Sequence, residues 1–595
     1  MKRPVLVFDG DCGFCRLWIE NWRRATGDKV DYAPYQTAAA HHKEVPLKDF
    51  TQAVHLFEPG RTSRGAEAVL RARAYSPGLS WLPRFYAVPG VAPVSEAVYR
   101  LVAARRPLFS RLTRLLWGEI TAPAPVGFTS RIVVAGLGLC YLLAFASLGA
   151  QIRGLIGSDG IMPAAAMLGS AKAQLGASRY WLFPTVAWLS ACDAALTAYC
   201  WLGGLAALGL IFGYAAGPCA LICWALYLSL SAIGSDFMSF QWDVLLLEAG
   251  LIACFLAPWK MTSKQAAAPS RGALWLLRLL LFKLMLQSFL VKIFSGDPVW
   301  RDLTALTYHY WTQPLPTPAA WWCHQLPLWV SKLSCLILFA IELVAPILIL
   351  FPRRARAAGA IAITVLMVLI AATGNYGFFN VLTVVLCLSC LDDRFFRRRE
   401  TPADIAAPKA RTWSISVVAA LSLTIGLFET LSIFGAVPPA PARALIAAVS
   451  PLRSFNRYGL FAVMTRARDE IVVEVSSDGH DWREWPFPYK PGDPRRAPPW
   501  VAPHMPRLDW QCWFAALGNP TDSPWFGNLL FRLLEGRPAA AGLLGPNPLG
   551  AAKPLYARAF RYETTFATPE RHRADGSWWT RVRKGLFFPV VSLKR

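Results

Sequence analysis

The chain has 595 residues, of which 55% are hydrophobic and only 16% charged, with a formal net charge of +24 and a mean hydropathy of +0.35. Soluble domains carry about 25% charged residues, so an ordinary soluble globular protein is excluded over much of this length. Much of the basic excess flanks apolar runs and forms no recognised nucleic-acid motif. This argues against a nucleic-acid partner and reads as the cytoplasmic signature of a membrane protein.

Residues 1–120 read as a small soluble α/β domain. Met1-Lys2-Arg3 is followed by only a short apolar run and then Asp9 and Asp11, too little for a secretory signal, so a cytoplasmic N-terminus is expected. Pro4–Phe8 predicts a buried strand that runs into the turn GDCG. Cys15–Thr26 predicts a helix with Trp18, Ile19 and Trp22 on one face. A second strand is expected over Ala53–Glu58, helices over Gly65–Ala74 and Ser95–Ala104, and a basic stretch over Arg105–Arg114.

Cys12-Gly13-Phe14-Cys15 therefore follows a strand and opens a helix. Free N–H groups and partial positive charge at a helix start lower the pKa of the first thiol. Cys12 would attack as thiolate, and Cys15 would resolve the mixed disulfide. The carboxylates of Asp9 and Asp11 act the other way. A zinc knuckle would need two more ligands, and the nearest pair, His41-His42, has nothing else close. A phosphatase built on Asp9-Gly10-Asp11 would need a downstream lysine and a paired acidic motif that this stretch lacks. Two idle cysteines in a turn are the plain alternative. The other cysteines are mostly single residues inside apolar runs, and no metal site is expected.

Residues 130–437 alternate apolar runs with short connectors. About nine spans are expected, over 132–150, 196–216, 219–234, 243–259, 273–294, 329–351, 358–373, 378–391 and 413–436. Several fall short of the roughly 20 residues of a perpendicular span. Residues 179–192 are ambiguous and read as interfacial. Connectors of one parity are basic and plain (PWKMTSK, FPRRARAA, DDRFFRRRE). Those of the other parity are dense in polar and aromatic residues: GLIGSDGIMP, SDFMSFQWD with Asp243, SGDPVWRDLTALTYHYWTQPLPTP, and TGNYGFFN with Asn375 and Tyr376. Nine crossings from a cytoplasmic start put Lys260, Arg353–Arg356 and Arg394–Arg399 inside and the C-terminal region outside, in keeping with the positive-inside rule.

Ionisable residues inside spans are costly and mark polar interiors. Glu248, Lys283, Glu342 and Glu429 lie within spans and Lys292 near a span end, with Glu248 and Lys283 an expected buried pair. The loop 295–326 holds Asp297, Trp300, Arg301, Asp302, His309, Trp311 and Gln313. It is either a catalytic His–Asp site or a hydrogen-bonded loop packed on the bundle. Residues 445–595 read as a β-rich soluble domain. A hairpin is expected from Glu470–Ser476 through Ser477-Asp478-Gly479 to Asp481–Tyr489, with a helix over Leu529–Leu534 and a strand over Arg558–Thr565.

Two family resemblances follow from these strings. VLVFDGDCGFC, GAEAVL and SEAVYRLVAARR, over about residues 4–115, resemble the DCC family of thiol–disulfide oxidoreductases. That resemblance implies a thioredoxin-like fold and redox roles for Cys12 and Cys15. GLIGSDGIMPA, FQWDVLLLEAG, KIFSGDPVWRDLTALTYHYWTQPLPTP, TGNYGFFNVLT, NRYGLFAVMTRARDEI, SSDGHDW and PHMPRLDWQCWFAALG, over roughly 131–580, resemble the lipase maturation factor family. This second likeness implies a multi-pass membrane protein that helps secreted, lipase-like clients fold. It also implies a C-terminal client-binding or regulatory module, whose candidate surface here is His504, Arg507, Asp509, Trp510 and Trp513. A shorter stretch, FLVKIFSGDPVWRDLTAL, looks similar to vitamin K-dependent carboxylases. It implies a membrane enzyme with Lys292 as base, Glu248 and His309 nearby, and a quinone or lipid substrate.

The expected fold is thus a multi-pass α-helical membrane protein with an N-terminal thioredoxin-like domain and a C-terminal β-rich domain. The expected location is the cell inner membrane, with the C-terminal domain periplasmic. No cofactor is expected, save a quinone under the enzyme reading.

Overall fold

The computed structural model describes residues 3–121, 124–261, 269–397 and 409–593, with the backbone alone over 409–412. The chain forms two compact units, one of Met1–Pro125 with Leu350–Ala357, the other of Val126–Ile349 with Ala358–Arg595.

The first unit is built on a four-stranded sheet. Its strands are β1 (Val5–Phe8), β2 (Asp31–Pro34), β3 (His55–Glu58) and β4 (Arg61–Arg64), in the order β2-β1-β3-β4. β1 runs parallel to β2 and antiparallel to β3, and β3 pairs antiparallel with β4. The crossover that a parallel pair requires is supplied by α1 (Gly13–Thr26). Leu6 and Val7 are fully buried on opposite faces of β1, which explains the unbroken apolar run. The helices α2 (Gly65–Ala74), α3 (Leu82–Tyr86), α4 (Val91–Ala104) and α5 (Arg106–Trp117) follow. This is the thioredoxin-like arrangement. β2 and β4 were not legible as strands in the sequence: each has four residues and neither alternates cleanly.

The second unit contains seven helices long and apolar enough to cross a membrane, among the described residues. They are α6 (Gly127–Gly149), α7 (Asp193–Phe212), α8 (Ala216–Ile233), α10 (Arg271–Phe294), α12 (Leu328–Ile349), α13 (Arg353–Thr373) and α15 (Lys409–Ile433). The expected spans 243–259 and 378–391 are the shorter helices α9 (Gln241–Leu256) and α14 (Phe379–Leu388). At 1.5 Å per residue their 16 and 10 residues extend about 24 and 15 Å, against a hydrocarbon core of about 30 Å.

Both short helices nevertheless connect the same two sets of helix ends as the long ones. At one set, Ser147 near the end of α6, Asp243 at the start of α9, Asp297 just past α10 and Asn375 before α14 all bond to residues beyond 460. At the other set, Asp393 past α14 accepts the backbone N–H of Phe128 and Thr129 at the start of α6. Arg278 near the start of α10 donates to the Ser389 carbonyl. Ala215 and Gly217, at the start of α8, donate to Met261 and Pro258 past α9. α9 and α14 pass between these sets shielded by neighbours, with most of their side chains buried. A helix that does not face lipid need not match its thickness.

Close approach relies on small residues. A Cβ on Gly203 of α7 would overlap the ring of Phe145 on α6, so only glycine lets these two helices pack at that point. Residues 179–192 form a short helical turn at Arg179–Leu182 and a 3-10 turn at Val186–Trp188, not a span. Part of two basic connectors, residues 262–264 and 398–400, lies outside the described residues.

The C-terminal region carries an antiparallel sheet of β5 (Asp469–Ser476), β6 (Arg483–Trp485), β7 (Tyr556–Phe566) and β8 (Trp579–Ser592), in the order β6-β5-β7-β8. Asp478 closes the expected hairpin by accepting the N–H groups of His480 and Asp481. Two helices, α16 (Arg507–Ala516) and α17 (Pro524–Leu534), complete it. This region is one compact unit with the bundle rather than a separate body.

Candidate functional site

Cys12 sits at the N-cap of α1, and its Sγ accepts the backbone N–H of Cys15 at 3.4 Å. Burial, and then the adjacent Cys12, push the Cys15 thiol well up from its ordinary range. That asymmetry fits an attacking Cys12 and a shielded, resolving Cys15. The two carboxylates expected to oppose a thiolate are each engaged. Arg106 of α5 pairs with Asp9 at 3.2 Å and also donates to the carbonyls of Thr51 and Gln52. Gln36 donates to Asp11 at 3.0 Å and accepts the N–H of Gly10 at 3.1 Å. Arg106 thus sets a positive charge against the negative one of Asp9, beside the pair. The start of β3 is occupied on this side, since Val54 N–H donates to the Tyr99 hydroxyl at 3.0 Å.

The second constellation is a buried seam between the helix ends and the C-terminal region. Arg507, at the start of α16, donates to both carboxylate oxygens of Asp243 at 2.9 Å, and both side chains are 0% exposed. Tyr227 of α8 donates to the same carboxylate at 2.5 Å, and Arg507 also caps the Phe237 carbonyl at 2.6 Å. An arginine fork suits this because it satisfies two oxygens and a carbonyl at once. Asn375 works in four directions: its amide donates to the carbonyls of Leu315 and Pro499, and its oxygen accepts Val501 and Ala502 N–H. Ser147 accepts Met505 N–H at 2.9 Å and lies 3.0 Å from His504 Nδ1.

The loop 295–326, which includes the helix α11 (Ala305–Thr312), is held the same way. Asp297 accepts Met464 N–H at 2.7 Å and the Arg466 guanidinium at 2.9 Å. Burial opposes its ionisation, but the N–H groups of Met464, Arg466 and Val299 outweigh burial and hold its pKa below the usual range. Trp300 is buried and donates to the Phe461 carbonyl. Tyr376 donates to Gln313 at 2.7 Å, which leaves its oxygen to accept from His309 Nε2 at 3.1 Å. Burial and the charge of Lys292 bring His309 down to about 4, so it is a neutral imidazole in this loop. Arg301 and Asp302 are exposed. With His309 bonded to Tyr376, and Asp297 to Met464 and Arg466, the hydrogen-bonded loop is the alternative that forms.

One expectation is corrected outright. His504, Arg507, Asp509, Trp510 and Trp513 are the candidate surface of the client-binding or regulatory module that the resemblance implies, yet all but His504 are buried. Asp509 accepts the N–H groups of Tyr489 and Lys490, and burial lifts its carboxyl to about 6. Trp510 packs edge-on against Trp242 of α9. These residues face inward because their partners are the ends of the bundle helices.

Four of the membrane-embedded ions form two pairs. Lys283 of α10 bonds Glu248 of α9 at 2.5 Å, the expected pair, and Tyr458 and Asn456 complete the Glu248 shell. Lys292 gives both oxygens of Glu342 hydrogen bonds of 2.7 and 2.9 Å and a third to the Ser288 carbonyl. These three acceptors occupy the hydrogen-bonding directions of the Lys292 nitrogen. A cavity of about 280 Å³ between α9, α10 and α15 reaches Glu248 and Lys283, while Lys292 and His309 are not among its lining residues.

Sequence reasoning missed the trio Arg468, Glu470 and Lys490. Buried Arg468 holds the carbonyls of Trp311, Gln313 and Pro314 and pairs with Glu470, which also takes Lys490 at 2.8 Å. The available signal is the charged run Arg468-Asp469-Glu470 within NRYGLFAVMTRARDEI, at the edge of the expected strand Glu470–Ser476.

Comparison with known proteins matches three stretches of the chain to family models. They are the DCC1-like thiol-disulfide oxidoreductase at residues 6–112, the lipase maturation factor transmembrane domain at 128–398, and the lipase maturation factor C-terminal domain at 454–589. The chain is 37% identical over 591 residues to lipase maturation factor 2 of Homo sapiens, covering 78% of this chain and 82% of that protein. It is 33% identical to lipase maturation factor 2 of Gallus gallus (78% and 81% covered) and 32% identical to lipase maturation factor 1 of Bos taurus (78% and 89%). No solved structure matches the chain.

Proposed function

Because the chain belongs to the lipase maturation factor family, we propose that it is a membrane-bound maturation factor for secreted, lipase-like clients, fused to a thiol–disulfide oxidoreductase-type domain. The observation that carries this reading is the similarity to lipase maturation factors across the bundle and the C-terminal region together. The seam gives a physical reason for that joint inheritance. Neither part buries its charges without the other, so the working object is one platform of outward loops and β-rich region. Clients would meet the exposed rim of this platform, not the buried seam.

We place the platform in the cell inner membrane with its C-terminal region periplasmic. Supporting this, Lys260, Arg394 and Arg397 follow the helix ends opposite the C-terminal region, as the positive-inside rule requires of cytoplasmic connectors. Cys12 and Cys15 then lie in the cytoplasm, where they would serve the same pathway without touching exported clients.

The test is co-expression of a secreted lipase with the full chain and with a chain ending before residue 445. The expected result is that activity per molecule of secreted lipase falls with the shortened chain, although its bundle still inserts. Equal specific activity with both chains, or with neither, would remove the reading. Reporter fusions at residues 352, 400 and 595 test sidedness separately.

A further inference from the structure

The helices α3, α4 and α5 of the first unit carry large apolar side chains that point to solvent in one repeated spacing. The exposed residues are Phe85 on α3 with Trp81 and Val88 flanking it, Val94, Val98 and Leu101 on α4, and Leu108, Leu112 and Leu115 on α5. Each triplet is spaced i, i+4, i+7, and on α4 and α5 this is a single helical stripe. Exposures of 40–65% across nine such residues far exceed the scattered apolar residues of an ordinary surface. Residues 81–117 also hold six arginines and one acid, Glu96. Arg84, Arg100, Arg105, Arg111 and Arg114 are exposed, while Glu96 turns inward to accept Glu67 N–H and the Tyr86 hydroxyl. Exposed charge on this segment is therefore of one sign.

Chain continuity says what covers this face. α5 ends at Trp117, and the first membrane span, α6, begins at Gly127. The unit also includes Leu350–Ala357, the connector from which the span α13 starts, and Arg354 of that connector donates to the Arg114 carbonyl at the end of α5. The segment is thus tied to the bilayer surface at two points.

We propose that α3, α4 and α5 seat the first unit on a phospholipid surface, that of the leaflet from which α6 starts. Their apolar stripes lie at the acyl boundary and their arginines lie among anionic headgroups. The consequence reaches the thiol pair. Trp117 of α5 packs on Trp18 of α1 with ring centres 5.4 Å apart, and the hollow beside Cys15 is lined by Phe14, Val102, Ala103 and Arg106. The helix that opens with the pair rests on a membrane-seated helix, so a partner would reach Cys12 along the lipid surface. The proposal does not depend on the identity of any client.

The test uses the full chain in nanodiscs of mixed phosphatidylcholine and phosphatidylglycerol. A photoreactive p-benzoylphenylalanine replaces Val98 or Leu112, or, as a control, the exposed Lys48. Irradiation followed by mass mapping should show phospholipid adducts at positions 98 and 112 and none at 48. In phosphatidylcholine alone, adduct yield should fall by about fivefold or more, the worth of at least one arginine at an anionic surface. Cross-links to a second copy or another protein instead of lipid would overturn the proposal. So would the absence of adducts in correctly inserted variants, or equal yields with and without the anionic lipid.

Discussion

Replacing Arg507 by methionine should undock the C-terminal region from the bundle. The substitution keeps most of the side-chain volume and removes the guanidinium that holds Asp243 through two 2.9 Å bonds in a site without solvent. It also strips the Phe237 carbonyl of its donor. Breaking one side of a buried pair costs about 3–5 kcal/mol, since the remaining charge keeps its desolvation penalty. That lowers the docked-to-undocked ratio by roughly two to three and a half orders of magnitude. Lysine at 507 should rescue little, because one ammonium cannot span both oxygens and the carbonyl. The double variant Arg507→Met with Asp243→Leu removes both charges and should recover most of the loss. The assay is limited proteolysis between residues 453 and 507 of the inserted chain, read with thermal melting, for the wild type, both single variants and the double. A coupling energy of several kcal/mol is expected, as the two side chains form one network. Additive effects, or an Arg507→Met variant within about 0.5 kcal/mol of wild type, the range of an ordinary surface change, would refute the reasoning.

Asn375→Ala should cost about 3 kcal/mol in the same melting assay, because two carbonyls and two N–H groups lose partners together; Asn375→Asp should be no better, as its carboxylate cannot donate to Pro499. Asp509 has a folded pKa of about 6, above its unfolded value, so its protonation favours the native state at low pH. Its contribution should be present near pH 4 and be lost as pH rises through about 6, flattening roughly one unit above that, and on the order of 2 kcal/mol should separate the ends. Asp509→Asn keeps the acceptor for Tyr489 and Lys490 N–H, and should flatten that slope without undocking the region. Brief maleimide treatment near neutral pH should modify Cys12 and spare Cys15, whose thiol is pushed up by burial; equal modification would contradict the shielded geometry.

Much of the architecture was legible because it follows from local periodicity. The run PVLVF announced β1, and the CxxC spacing placed the thiols at a helix start, where Cys12 indeed caps α1. Apolar length located the seven full spans. The two remaining expected spans show where length alone stops being informative. α9 and α14 are shielded by protein, so the thickness of lipid does not fix how long they are. β8 was missed for a related reason: its pattern is broken by register shifts against β7, and Pro589 is tolerated because β8 lies at the edge of the sheet.

By itself, the sequence determined the class of each segment, the alternation of plain and elaborate connectors, and the family. Those are properties of neighbours along the chain, where composition and spacing act directly. Only the tertiary structure decided that Asp243, Asn375, Arg507 and Trp510 form an interior rather than a client-facing surface. Asp243 and Arg507 are separated by 264 residues, and nothing local to either says whether water or its counterion will satisfy it. The same polar residue is costly when buried alone and stable when paired, and pairing across that distance exists only once the chain is folded.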